Sequence, residues 1–339
     1  MKQLLAVLLV VTAGFAAEGY KILNKIKIGG QNSWDYATMD NAARRLYVSH
    51  GNTVEVVDVD AGKIIATIPD VNGVHGIAIA TEFNKGFISS RGANAAFVFD
   101  LKTFAKTGQV PTGRNPDAIC YEPKTKRVFT FNGASNDATA IDAKTDDVVG
   151  TFAMGGKPEF CQVDGAGKIY VNIEDTSEVV EIDATKPGVT RRVSIAPCNE
   201  PSGMAMDHKD KVVFSVCGNK TMAITDIAAM KVVGTAVIGA GPDAAGYDPG
   251  TGLVFSSNGD GTLTIVKKVN GKWESVDTVT TEPRARTMAV DEKTHRVYLL
   301  AAEVGPPPEP PKDAPKDAPK KGRGPAYLPD TYHVLVVGK

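Results

Sequence analysis

The chain has 339 residues, with 38 Lys and Arg against 39 Asp and Glu and a formal net charge of −1. That balance lacks the broad basic field that favours nucleic acid, so nucleic acid is not expected as a partner. The 34 Gly and 20 Pro suit a turn-rich all-β fold, and a length beyond a usual single domain is accommodated if the chain is a closed ring of repeats.

Residues 1–17 place Lys2 before the apolar run LLAVLLVV and end on Ala-Gly-Phe-Ala-Ala. This is the pattern of a secretory signal peptide cleaved after Ala17. The apolar run is too short to span a membrane, and no lipobox Cys follows. The expected mature protein is periplasmic or secreted, without a membrane span. Losing Lys2 leaves 37 basic against 39 acidic residues, or −2.

Tyr20 to Ile28, YKILNKIKI, alternates like a strand but precedes the first full unit. From Trp34 onward one pattern returns. Pro116 to Phe152 reads as four short strands joined by turns, and the copies begin at Trp34, Val74, Pro116, Pro158, Pro201, Pro242 and Ala285. Those starts lie 40, 42, 42, 43, 41 and 43 residues apart. A strand-rich period of this length marks a propeller.

Most copies carry the same local signals, while Ala80 to Phe87 keeps the spacing without the acid and Asp164 to Tyr170 is shorter by one residue. An acidic residue leads seven residues later to an aromatic, as in Asp40 to Tyr47, Glu122 to Phe129, Asp207 to Phe214, Asp248 to Phe255 and Asp291 to Tyr298. Turn formers such as PKTK and DPGTG lie between. A third run ends in Asp at Asp58, Asp100, Asp142, Asp183 and Asp226, and a fourth strand follows. One such sheet cannot bury both faces alone, so the sheets stack and the ring closes. The fold class is therefore an all-β, seven-bladed β-propeller with four antiparallel strands per blade. The last copy stops at YHVLVVGK after three strands, and the strand at 20–28 supplies the fourth.

The second strand followed by Asn, then a third strand ending in Val-x-Asp or its like, as in VFTFNGASNDATAID, resembles the YVTN-type (YncE-like) propeller repeat. The resemblance covers about residues 20–339. It implies an exported bacterial propeller and leaves activity open, because propellers host unrelated functions. On this basis residues 18–339 form a single propeller domain.

The seventh copy is interrupted by a Pro- and Lys-rich insertion, Gly305 to Asp330, between its second and third strands. Few of its residues are apolar, so it is expected to stay outside the core, near one mouth of the channel. Of the four Cys, Cys198 and Cys217 fall at one end of a single blade, where antiparallel pairing allows a disulfide. Cys120 and Cys161 sit on innermost strands of neighbouring blades and either face each other or face away. They are expected to be buried free thiols.

The residue after each start enters the channel. These residues are Asp35, His75, Asp117, Glu159, Ser202, Asp243 and Arg286. The ends of the second strands, including His50, Arg91, Asn132, Glu174, Asn219 and Asn258, are expected near the same mouth. Asp35, Asp117, Glu159 and Asp243 are candidate ligands for a divalent metal in the channel, since hard cations take carboxylate oxygens. No HExxH, P-loop, GxSxG or CxxCH motif is present, no catalytic set is assigned, and no cofactor is certain.

Two readings follow. The first is a monomeric binding or scaffold module that engages a protein, peptide or small molecule at the channel mouth. The second is a metal-assisted hydrolase or lyase of lactone-like substrates.

Overall fold

The computed structural model describes residues 19–306 and 326–339. The signal-peptide reading of residues 1–17 and most of the insertion lie outside the described residues. Seven four-stranded antiparallel sheets stand in a ring, and each innermost strand contacts its two neighbours. The innermost strands are Ala37–Asp40, Val74–Ala80, Pro116–Glu122, Pro158–Val163, Pro201–Asp207, Pro242–Asp248 and Met288–Asp291. The four strands of a blade are called a to d from the axis outward, and blades are numbered 1 to 7 in that order.

The ring closes through its ends. Strand Lys21–Lys27 pairs antiparallel with His333–Gly338, from Lys21 opposite Gly338 to Lys27 opposite His333. It is therefore strand d of blade 7. Closure gives edge hydrogen bonds a partner that an open arc would lack.

The repeated acids are turn devices. Asp58 Oδ1 accepts the backbone N–H groups of Asp60 and Ala61, and Asp100, Asp142 and Asp226 do the same two and three residues on. Asp183 accepts from Thr185. Each closes an Asx turn between strands c and d. The acids ending strand a act likewise: Glu122 accepts from Lys124 and Thr125, and Asp291 from Lys293 and Thr294. The aromatics seven residues on, Tyr47, Phe129, Phe214, Phe255 and Tyr298, are all at most 1% exposed. They fill the slots between neighbouring blades, where flat sheets need bulk to meet.

Cys198 and Cys217 form a disulfide with Cα atoms 5.6 Å apart. Cys120 and Cys161 remain thiols and share one apolar cluster between blades 3 and 4. The open alternative thus resolves to facing side chains. Burial pushes the Cys161 thiol well up, and the neighbouring Cys120 adds to that.

The insertion differs from expectation at its end. Val304 bridges Tyr327, the Tyr327 ring lies 5.0 Å from that of Trp34, and Asp330 accepts from Gly30 N–H and Lys27 Nζ. Residues 326–330 are docked because Tyr327 finds an aromatic partner beside the ring closure. Among the described residues no helix is long and apolar enough to cross a membrane.

Candidate ligand-binding mouth

Strand a is irregular where it enters the channel. In blades 2 to 5 its pairing with strand b slips between the first and fourth residues: Val74 and Ile77, Pro116 and Ile119, Pro158 and Cys161, Pro201 and Met204. In blade 6 the slip falls between Pro242 and Ala244. A bulge re-aims the side chain it contains. His75, Asp117, Glu159, Ser202 and Asp243 each occupy that irregular step. Their backbones are also clamped between blades. Ser89 Oγ donates to Asp117 O at 2.5 Å, Asn172 Nδ2 to Ser202 O at 2.8 Å, and Ser202 Oγ to Pro242 O at 3.1 Å. Gly203 allows the close approach, since a Cβ there would lie 2.4 Å from Asp243 O.

Six of the seven expected channel residues line one cavity of ≈ 300 Å³: Asp35, Asp117, Glu159, Ser202, Asp243 and Arg286. His75 stands behind it, 7% exposed, its Nδ1 at 2.7 Å from Asp35 Oδ2 and 3.0 Å from Asp117 Oδ1. The floor is aromatic. Tyr36 of blade 1 meets Phe160 of blade 4 edge to face across the axis, with centroids 5.0 Å apart. The cavity forms a bowl whose inner carboxylates are desolvated.

The charges respond to that burial. Burial pushes Asp243 up to about 7, opposed by Arg286 (Nε at 3.1 Å from Oδ2) and reinforced by Asp35 and Asp117. Burial, then repulsion from Asp117, pushes Glu159 up to about 8, although Lys157 Nζ lies 2.7 Å away. Asp35 is raised by burial despite its bond to His75. Burial alone would lower His75, yet its bonds to Asp117 and Asp35 outweigh that and raise it to about 10. Burial and then the surrounding carboxylates hold the Tyr36 phenol well above its ordinary value.

The second-strand ends divide. His50, Asn132 and Asn258 do not line the bowl; they turn towards strand c of their own blades. His50 Nδ1 lies 2.9 Å from Glu55 Oε1, Asn132 Nδ2 donates to Asp137 and Thr139, and Asn258 Nδ2 to Thr262 and Thr264. That residue faces strand c because pairing puts it opposite the first residue of strand a, as Asn132 opposite Pro116. The position braces the b–c turn. Arg91 lies one residue beyond, exposed, and is not among the bowl residues. Glu174 does reach the bowl, paired to Lys157.

Sequence reasoning did not single out Tyr36, Lys157 or Glu200, which also line the bowl. Lys157 and Glu200 each immediately precede a blade start, at Pro158 and Pro201, and that position was a readable signal.

The four-carboxylate metal set is not assembled as such. Glu159 is held by Lys157 and Asp243 by Arg286. The group with metal-ligand spacing is Asp35, His75 and Asp117, whose donor atoms lie within 4.8 Å of one another. Oxygen and imidazole donors at this spacing fit a hard or borderline divalent cation.

No family model matches the chain. Among curated proteins it is 29% identical over 133 residues to antigen Lp49 of Leptospira interrogans, covering 37% of this chain and 29% of that protein. It is 24% identical over 185 residues to the uncharacterized protein YncE of Salmonella typhi, covering 52% of each. The chain thus spans about half the length, or less, of these curated relatives. A chain in a crystal structure of the mitotic checkpoint complex superimposes with a TM-score of 0.72 at 12% identity, covering 88% of this chain and 95% of that one. At that identity the likeness speaks for the fold alone. The chain is therefore a seven-bladed propeller, with weak sequence similarity to YncE and antigen Lp49.

Proposed function

We propose that this propeller is a binding module whose mouth captures a positively charged group of a small molecule, peptide or protein. The observation that carries the reading is the charge balance of the bowl. Asp35, Asp117, Glu159, Glu174, Glu200 and Asp243 gather there against Lys157, Arg286 and the adjoining His75. Like charges forced together on an aromatic floor gain from an added cation. The rigid ring supplies the pre-organisation, so little ordering cost opposes binding.

A thermal melt with ethylamine and spermidine tests this. Added amine should raise the melting temperature of the wild type by mass action, and Asp117→Asn and Asp243→Asn should abolish that rise. An unmoved wild-type melt would sink the reading.

One observation favours a second reading, a divalent cation at Asp35, His75 and Asp117. Such an ion would supply Lewis acidity towards a carbonyl, as a lactone hydrolase or lyase requires. The chain's own contribution would be to orient the imidazole between two carboxylates. Melts with Ca²⁺, Mg²⁺, Mn²⁺ and Zn²⁺ separate the readings, since this one requires a rise with an ion and its loss in His75→Ala.

We further propose that the working protein is an exported monomer. The pattern of residues 1–17 supports export, and so does the Cys198–Cys217 disulfide, which persists in oxidising compartments. Mass spectrometry of the mature chain should find its N-terminus after Ala17.

A further inference from the structure

A second cavity of ≈ 210 Å³ adjoins the bowl, and its lining includes Trp34, Tyr327, Arg284 and Arg286. Arg286 lines both cavities. Its Nε faces Asp243 while the side chain stays 56% exposed, so part of its charge is open to the mouth. Arg284 is exposed and lies over the Tyr327 ring, 4.8 Å from the centroid. Among the described residues no carboxylate is paired with Arg284. The Trp34 ring stacks on Tyr332 at 4.8 Å and leans on Tyr327 at 5.0 Å, so the shelf beneath the Arg284 guanidinium is aromatic and braced.

The mouth is thus polarised. Glu174 and Glu200 come from blade 4 and the entry to blade 5, and Arg284 and Arg286 from the entry to blade 7, two to three blades further round. Glu200 and Arg284 stand at equivalent positions, each just before a blade start, with φ of 53° and 66°. At the same position blades 2, 3 and 6 carry Gly73, Asn115 and Gly241, residues that accept a left-handed backbone readily. Glu200 and Arg284, long side chains of opposite sign, therefore take the place of small ones at some conformational cost, two blades apart around one opening, and blade 4 carries Lys157 at this position.

We infer, resting on the reading of the bowl as a cation site, that the ligand is a zwitterion: a short peptide with both termini free. Its ammonium group lies among the carboxylates of the bowl, and its terminal carboxylate is held by Arg284 and Arg286. The intervening backbone crosses the aromatic shelf. Guanidinium groups suit a carboxylate because their donors match its two oxygens.

The test is calorimetric titration with Ala-Ala-Ala, its N-acetyl form and its C-terminal amide. Ala-Ala-Ala should bind, and either cap should weaken binding at least about tenfold. Arg284→Ala should narrow the preference for the free acid over the amide while still rejecting the N-acetyl form. Arg286→Ala should do the same, and Arg284→Ala keeps the test decisive if exposing Asp243 unsettles the fold. Wild-type protein that binds the amide as well as the acid, or an Arg284→Ala variant that tells them apart as sharply as wild type, overturns the zwitterion. If simple amines bind and the tripeptide binds no better, the zwitterion falls and the cation site stands. If neither binds, both fall.

Discussion

Asp243→Asn is the sharpest probe of the bowl. Asp243 is pushed up to about 7 from its ordinary 3.8. An acid whose pKa is raised on folding binds protons more tightly in the native state. Stability must therefore fall as pH rises through the window from about 4 to about 7. Three pKa units at 1.36 kcal/mol each make the cost of ionised Asp243 about 4 kcal/mol at most by pH 8, and about 2 kcal/mol at pH 5. Asn keeps the shape and carries no charge, so its own contribution is flat with pH. Urea denaturation of wild type and variant should show the variant more stable, its advantage growing by about 2 kcal/mol between pH 5 and pH 8. Taking the difference cancels groups that titrate in both proteins, such as Glu159. A variant whose advantage does not change with pH, or that is less stable at pH 8, would show that Arg286 and water neutralise Asp243 and that the bowl holds no excess of negative charge.

Removing the chain through Ile28 should open the ring and lower the melting temperature sharply. Burial of Tyr20 and Ile26 alone is worth about 1.5–3 kcal/mol each, and a truncated protein that melts like the mature chain would refute closure. Arg44→Met should cost about 3–5 kcal/mol, because the guanidinium clamps the fully buried Asp291 across the blade 7 and blade 1 junction at 2.7 and 2.6 Å. Asp291 is buried, but its bond to Arg44 holds it down to about 2. This pairing contributes stability above pH 4 that is lost as pH falls towards 2, and acid titration of the melt should show that loss in wild type and not in Arg44→Met. The double change Cys198→Ser and Cys217→Ser should lower stability by about 3 kcal/mol, as expected for a cross-link spanning 19 residues. Equal urea midpoints for the oxidised wild type and the double variant would count against it.

The repeat was legible in the sequence because its causes are local. An Asp that closes an Asx turn, a Pro or Gly at a turn and an aromatic at a fixed step act through neighbours a few residues away, so Asp58, Asp142 and Asp226 announce blades without any tertiary information. Ring closure was legible too, since a strand without its blade at Tyr20–Ile28 matched a blade without its last strand at 333–338. Repetition likewise placed Asp35, Asp117, Glu159, Ser202, Asp243 and Arg286 around one cavity, because equivalent positions in a ring must converge on its axis.

Only the tertiary structure decided which way the side chains turn and what they meet. His50 and Asn132 end strand b as expected, yet they face strand c, because pairing register sets the face of each residue and a one-residue step reverses it. Lys157 and Arg286 divide the carboxylates into pairs, and Tyr36 meets Phe160 from blades more than a hundred residues apart in sequence. These contacts depend on the curvature of the ring and on the bulges in strand a. Both arise from the packing of seven sheets together, and no single repeat contains them.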